Sequence, residues 1–341
     1  MRMFKSSNKM RMFKSSNSRN VRKSILAFSV GICTTLLIIK LSASFQSESR
    51  FYTNSAQNEK PDDNPRHLPL IFIGGHQSSG TGLLRILMDI HPLVRCGPEP
   101  IVTREIITYR LSKNRQNDRL LQSGISQDVL DNAVAGFIVS ILQNMGPPAE
   151  RLCHKDPGSY FYLKYLGDLF QNAKFIHIVR DGRAAVASTI ARKINPQFRS
   201  DNITQALKYW EAFTSHVISD CEYIGRNRCL TIRYECLVLN PKEEISKLLK
   251  FLDLPWDDRL LQHEKYIHNV SMLNKYEASS VQVVKPIHLE SLTAWCRNGS
   301  VIPKEYISTM HKESRLLKKL GYATNEIPPN YENLCKVDSV L

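Results

Sequence analysis

Residues 68–85, LPLIFIGGHQSSGTGLLR, run a short apolar segment straight into a glycine-rich turn. Leu68 to Ile73 has the length and unbroken apolar character of a strand buried on both faces. Gly74, Gly75, Gly80 and Gly82 permit a tight turn and close backbone approach. From Leu83 to His91 the apolar spacing becomes helical. A strand–turn–helix of this kind aims backbone N–H groups at an anion on the helix N-terminus, so it reads as a phosphate or sulfate cradle. The spacing also excludes a class. Gly75, four residues and Gly80 match a Walker A loop, but Thr81 and Gly82 stand where that loop needs Lys and then Ser/Thr. ATPase or GTPase chemistry is therefore disfavoured.

A second strand–turn–helix, KFIHIVRDGRAAVAS, spans 174–188. Phe175 to Val179 reads as a buried strand, with a helix running on to Lys193. Between the two units, 103–150 look mainly helical and LCHKDPG (152–158) reads as a loop. Residues 204–224 form an amphipathic helix with Trp210 and Phe213 inward. Cys229 to Tyr234 is a third strand, and Pro241 to Leu252 a helix with proline at its start. The order β-α-(αα)-β-α-α-β-α implies an α/β fold, a largely parallel sheet covered by helices. With 341 residues and 42% apolar side chains, the chain suits one large domain plus a tail.

The formal charge of +14 is unevenly spread: residues 1–40 hold nine Lys/Arg and no Asp/Glu. The basic balance is thus partly a property of the tail, and no DNA- or RNA-recognition motif accompanies it. MRMFKSSN occurs at 1–8 and again at 10–17. An uncharged, mostly apolar run from Ile25 extends to Phe45 if Lys40 snorkels. Arg19, Arg22 and Lys23 precede it, which predicts a cytosolic N-terminus and a lumenal body. The expected organisation is a basic tail at 1–24, a signal-anchor helix at 25–45, a stem at 46–66 and a lumenal domain at 67–341. A cleaved signal peptide ending near Ser42–Ser44 is the rival reading, against which the long N-region speaks. Sequons at Asn202, Asn269 and Asn298 fit a lumenal body, and of the eight cysteines only Cys33 falls within the span.

From about Pro69 to about Tyr331 the chain resembles the tyrosylprotein sulfotransferases. The resemblance is carried by FIGG…SGT (72–81), HP-x-VRCG-x-E (91–99), LC-x-KDP (152–157), LFQNAKFIHIVRDGRA (169–184), S-x-x-x-RK (188–193), KP (285–286) and LGY…PPNY (320–331). It implies a P-loop-kinase-like sulfotransferase fold and transfer of a sulfuryl group from 3′-phosphoadenosine-5′-phosphosulfate to tyrosine. It further implies secretory or membrane proteins as acceptors, a Golgi membrane location through one type II helix, homodimer assembly, and no metal in the transfer step. By this resemblance Glu99 is the general base, Lys155 stabilises the leaving group, and Ser279 lies near the transferred group. Ser78, Ser79, Gly80, Thr81 and Gly82 form the 5′-phosphosulfate loop. Arg180 and Ser188 hold the 3′-phosphate, while Arg192, Tyr234 and Lys285 add nucleotide contacts. A solvated loop glutamate is the ordinary alternative for Glu99, as is a surface lysine for Lys155. For Arg180 and Arg183 it is a salt bridge with Asp181 or Asp156. The family pairs the cysteines matching Cys96 with Cys153 and Cys221 with Cys229, leaving Cys236, Cys296 and Cys335 unassigned.

Departures from the pattern cluster at the site. The family carries Arg where this chain has Ser78, and a second Thr where it has Gly82. Its substrate loop reads Glu-Glu-Thr-Arg where this chain has Pro98, Glu99, Pro100 and Ile101, and a second Arg where it has Glu105. Gln77 or His76 are candidates to replace the lost loop donor. Three readings follow: a divergent protein-tyrosine sulfotransferase, a weak or inactive relative that binds nucleotide or a partner, and a carbohydrate sulfotransferase.

Overall fold

The computed structural model describes residues 64–112 and 117–336. The expected tail, span and stem up to residue 63 lie outside them. Among the described residues no helix is long and apolar enough to cross a membrane.

Among the described residues five strands form one sheet: β1 (Ile71–Gly74), β2 (Val94–Cys96), β3 (Arg151–Lys155), β4 (Lys174–Val179) and β5 (Cys229–Arg233). Their order is β2-β3-β1-β4-β5 and every pair is parallel. The helices that pack around the sheet include α1 (Thr81–Ile90), α2 (Val102–Ser112), α3 (Gln127–Asn144), α4 (Leu163–Leu169), α5 (Gly182–Ala191), α6 (Ile203–Ile224), α7 (Tyr234–Leu239) and α8 (Pro241–Phe251). The strand period of two explains the layering. Ile71 and Ile73 face one core with α1, α5 and α8, whereas Leu70 and Phe72 face a second with α3 and α4. α6 serves both cores, through Trp210 in the first and Phe213 in the second.

The sheet corrects the sequence reading in two places. Residues 151–155 are strand β3, not a loop; Arg151, His154 and Lys155 mask the apolar signal of a strand whose last three residues are buried. β2 is only three residues long, too short to register as periodicity. In addition, Tyr234 opens α7 rather than closing β5.

Register brings the chemistry to one edge. Ile73 lies opposite Lys155, and Val179 opposite Arg233. The glycine turn, Lys155, Arg180 and Tyr234 therefore gather at the carboxyl ends of β1, β3, β4 and β5. In open α/β sheets that edge is where ligands bind. Cys96 and Cys153 are themselves register partners and are disulfide-bonded, tying the end of β2 to β3. Cys221–Cys229 closes the α6–β5 connection. A third bond, Cys236–Cys335, fastens the C-terminal helix Tyr331–Lys336 to α7, and Cys296 is free.

Candidate active site

The turn after β1 is a cradle by construction. Gly80 caps α1 at φ 107° with no side chain bonded to the helix start, so the first N–H groups face outward. A Cβ on Gly80 would sit 2.4 Å from the Tyr234 ring, and one on Gly75 (φ 150°) 2.3 Å from the Ile178 carbonyl oxygen. Only glycine fits either position. Above the turn opens a cavity of about 520 Å³, lined among others by Ser78, Gly80, Thr81, Gly82, Glu99, Arg180, Ser188, Arg192, Tyr234, Ser279 and Lys285. That volume suits a nucleotide-sized ligand.

Two guanidiniums converge on the turn. Arg180 donates from Nη1 to the Ser78 carbonyl (2.9 Å) and from Nη2 to the Ser291 carbonyl (2.6 Å), and it stacks 4.4 Å over the Tyr234 ring. Its buried Nε has no partner. Arg192, at the end of α5, donates from Nη2 to Ser78 Oγ at 2.6 Å. Burial, and then the Arg180 charge, pull the Arg192 guanidinium down to about 10. Two like charges held together with an orphan donor between buried walls are complementary to a multiply charged anion. Ser78 contributes no cation of its own, yet both guanidiniums grip it. Its φ of 66° places it in the left-handed region, and its hydroxyl also meets Thr189 Oγ1 at 2.8 Å. Ser79 is wholly buried, with its hydroxyl unpartnered.

At the other end of the cavity Glu99 and Glu277 line the wall, and behind them Lys155, 1% exposed and not itself lining the cavity, donates from Nζ to Glu99 Oε1 (2.7 Å) and to Glu277 Oε2 (2.8 Å). The Cys96–Cys153 bond sits three residues before Glu99 and two before Lys155, which fixes the Glu99 loop beside the end of β3. Next to them Asp156 pairs with Arg104 at 2.9 Å and accepts from the Gly158 N–H. Burial pushes its carboxyl up to about 6, against the pull of Arg104.

Several sequence expectations resolve differently from one another. Arg183 pairs with Asp181 at 2.7 Å in a fully buried cluster that includes Tyr331 and Trp295, so it is structural. Arg180, by contrast, faces the cavity. LGY…PPNY is explained the same way: the Tyr322 hydroxyl donates to Glu235 and the Tyr331 hydroxyl to Asp181, behind the β4 turn. His76 does not replace the missing loop donor, since it is buried against Phe198, Tyr209 and Phe213. Gln77 does line the cavity. Gly82 has a partner: a Cβ there would lie 2.8 Å from both Cβ and Oγ of Ser279. Asn202, Asn269 and Asn298 are all exposed.

Residues 69–258 match the family model described as the sulfotransferase family. Protein-tyrosine sulfotransferase A of Caenorhabditis elegans is 40% identical over 270 residues, covering 78% of this chain and 70% of that one. The chain belongs to the protein-tyrosine sulfotransferases. Protein-tyrosine sulfotransferase 1 of Homo sapiens is 38% identical over 272 residues, covering 78% and 73% of the two chains. Among solved structures, the sulfotransferase domain from the curacin biosynthetic pathway superposes with a TM-score of 0.45 at 18% identity, covering 66% of this chain and 95% of that one. Two residues at the site carried no signal in this family's pattern as read from the sequence. Glu277 comes from an irregular segment and Ser291 from the one-turn helix Glu290–Thr293 that follows it, and their bonds to Lys155 and Arg180 span over a hundred residues of chain.

Proposed function

We propose that this chain transfers a sulfuryl group from 3′-phosphoadenosine-5′-phosphosulfate to tyrosine hydroxyls of secretory or membrane proteins. The observation that carries this is Glu99, paired with the buried Lys155 at the carboxyl edge of the sheet, lining one cavity with Arg180 and Arg192. The cradle fits the donor: open helix N–H groups and glycines at Gly80 and Gly82 for the 5′-phosphosulfate, and paired guanidiniums with Ser188 for the 3′-phosphate. The phosphosulfate supplies the group transferred and a phosphate as leaving group.

The rest falls to this chain's side chains. A tyrosine phenol with a pKa near 10 needs a base to be a nucleophile at neutral pH. Glu99 has one oxygen held by Lys155, which leaves Oε2 to take the phenolic proton. Lys155 is oriented by two carboxylates, and its ammonium neutralises charge gathering on the leaving phosphate oxygen. Thr81 and Ser279 bring hydroxyls to the transferred group, and Tyr234 and Lys285 contact the nucleotide.

The acceptor segment enters past the first turn of α2, where Ile101 is 54% exposed and Glu105 is exposed one turn on. This mouth favours neutral or basic residues beside the acceptor tyrosine. Three disulfides and three exposed sequons support a lumenal body, held in the Golgi membrane by a type II helix at 25–45 that follows a basic tail at 1–24 and precedes a stem at 46–66. A homodimer is part of the same reading.

The test is transfer of ³⁵S from the labelled donor to paired tyrosine peptides, one acidic and one basic in its flanks, with tyrosine O-sulfate identified after alkaline hydrolysis. Label in tyrosine O-sulfate, with the basic peptide preferred, is expected. Bound nucleotide without transfer supports an inactive relative, and label in glycan hydroxyls a carbohydrate enzyme.

A further inference from the structure

The cavity is roofed by an irregular segment from Ser271 to Leu289 and the start of the one-turn helix Glu290–Thr293, fixed at both ends by buried charges. Asp89 accepts from the Ser271 N–H (2.7 Å) and hydroxyl (2.9 Å). Arg85 donates to the Met272 carbonyl, and Arg180 to that of Ser291. Between these anchors the segment sends one carboxylate inward. Glu277 Oε1 accepts from the backbone N–H of Glu99 at 2.6 Å, and Oε2 accepts from Lys155 Nζ at 2.8 Å. Its side chain is 11% exposed. One group thus touches the backbone of the residue assigned as base and the ammonium assigned to the leaving group.

We propose that Glu277 is a positioning residue for sulfuryl transfer, setting Glu99 through its backbone N–H and Lys155 through Nζ. The inference rests on the roles assigned to Glu99 and Lys155 above. A surface ion pair would contribute little, but Lys155 is buried, and a buried ammonium with half its acceptors removed can turn toward Glu99 alone. Its hold on Glu99 Oε1 then tightens, and the base and the leaving-group cation lose their separate aims. Small displacements of such groups are costly because both must act in one transition state.

The experiment uses the full-length chain with Glu277→Ala and Glu277→Gln, reading kcat, the KM for the phosphosulfate donor and the affinity for adenosine 3′,5′-bisphosphate. Gln keeps an oxygen for the Glu99 N–H but presents an amide to Lys155. Both variants are expected to lower kcat about ten- to hundredfold, the worth of one charge-assisted hydrogen bond felt at the transition state. Nucleotide affinity and donor KM stay within about threefold of the wild type. Wild-type kcat in either variant overturns the inference. So does a fall in nucleotide affinity that matches the fall in kcat, which would make Glu277 a latch for the roof only. A wild-type chain that transfers no sulfuryl group overturns the underlying roles first and takes this inference with them, an outcome visible before any variant is made.

Discussion

Restoring the family's threonine at Gly82 is expected to damage the site rather than repair it. The Cβ of residue 82 would lie 2.8 Å from Ser279 Cβ and Oγ, and 3.4 Å from Val283 Cγ1. Carbon contacts relax near 3.5–4.0 Å, so Ser279 must retreat by about 1 Å. Overpacking of this size costs about 1–3 kcal/mol, and replacing glycine inside α1 returns only a few tenths. A net loss of about 1–2 kcal/mol falls on the roof of the cavity and weakens nucleotide binding about five- to thirtyfold. Calorimetric titration of adenosine 3′,5′-bisphosphate into Gly82→Thr measures this. Gly82→Thr/Ser279→Gly, which removes both colliding atoms, recovers most of the affinity. Tighter binding by the single variant, or a double variant no better than the single, would refute the reasoning.

Other outcomes follow from the same geometry. Arg180→Ala removes a cavity guanidinium and its stack on Tyr234, raising the Kd for adenosine 3′,5′-bisphosphate about ten- to hundredfold with little change in peptide KM. Glu105→Arg should shift acceptor preference toward acid-flanked tyrosines, read as a change in the kcat/KM ratio of two peptides. Cys335→Ser opens a loop of 99 residues and should lower stability by about 2–4 kcal/mol in chemical denaturation.

Acid should destabilise the fold. Burial pulls His76 down to about 4 and His154 and His177 to about 3, so their contribution is complete above pH 6.5 and is lost as pH falls toward 4. Asp156 opposes them between about pH 6 and 4, because its raised carboxyl takes a proton in the folded state first. Glu235 is pushed up and His263 down by burial, and these two act in opposite directions. The three histidines together outweigh Asp156, so stability falls as pH falls through that window. Urea unfolding at pH 7, 6 and 5 checks it, and His177→Gln should flatten the slope.

What could be read from the sequence was what repeats or is punctuated. β1 and β4 are apolar on both faces, and the glycine turn announces its own conformation. β3 was hidden because the residue that makes it useful, Lys155, and its neighbour His154 are polar at buried positions. The Cys96–Cys153 and Cys221–Cys229 bonds followed from the resemblance, whereas Cys236–Cys335 joins positions 99 residues apart that no local pattern relates. Arg180 and Arg183 are chemically alike and three residues apart, and only the packing of Trp295 and Tyr331 around Arg183 separates a structural ion pair from a cavity cation. Glu277 was illegible for a related reason. It sits in a segment without periodicity, and its meaning lies wholly in the side chains it meets.

The most direct test of the account is the turnover of Glu99→Gln, measured with labelled donor and a tyrosine peptide alongside nucleotide binding. A fall in kcat of at least about a hundredfold is expected, the scale of general-base catalysis, with the affinity for adenosine 3′,5′-bisphosphate unchanged. Turnover at the wild-type rate in that variant would contradict it.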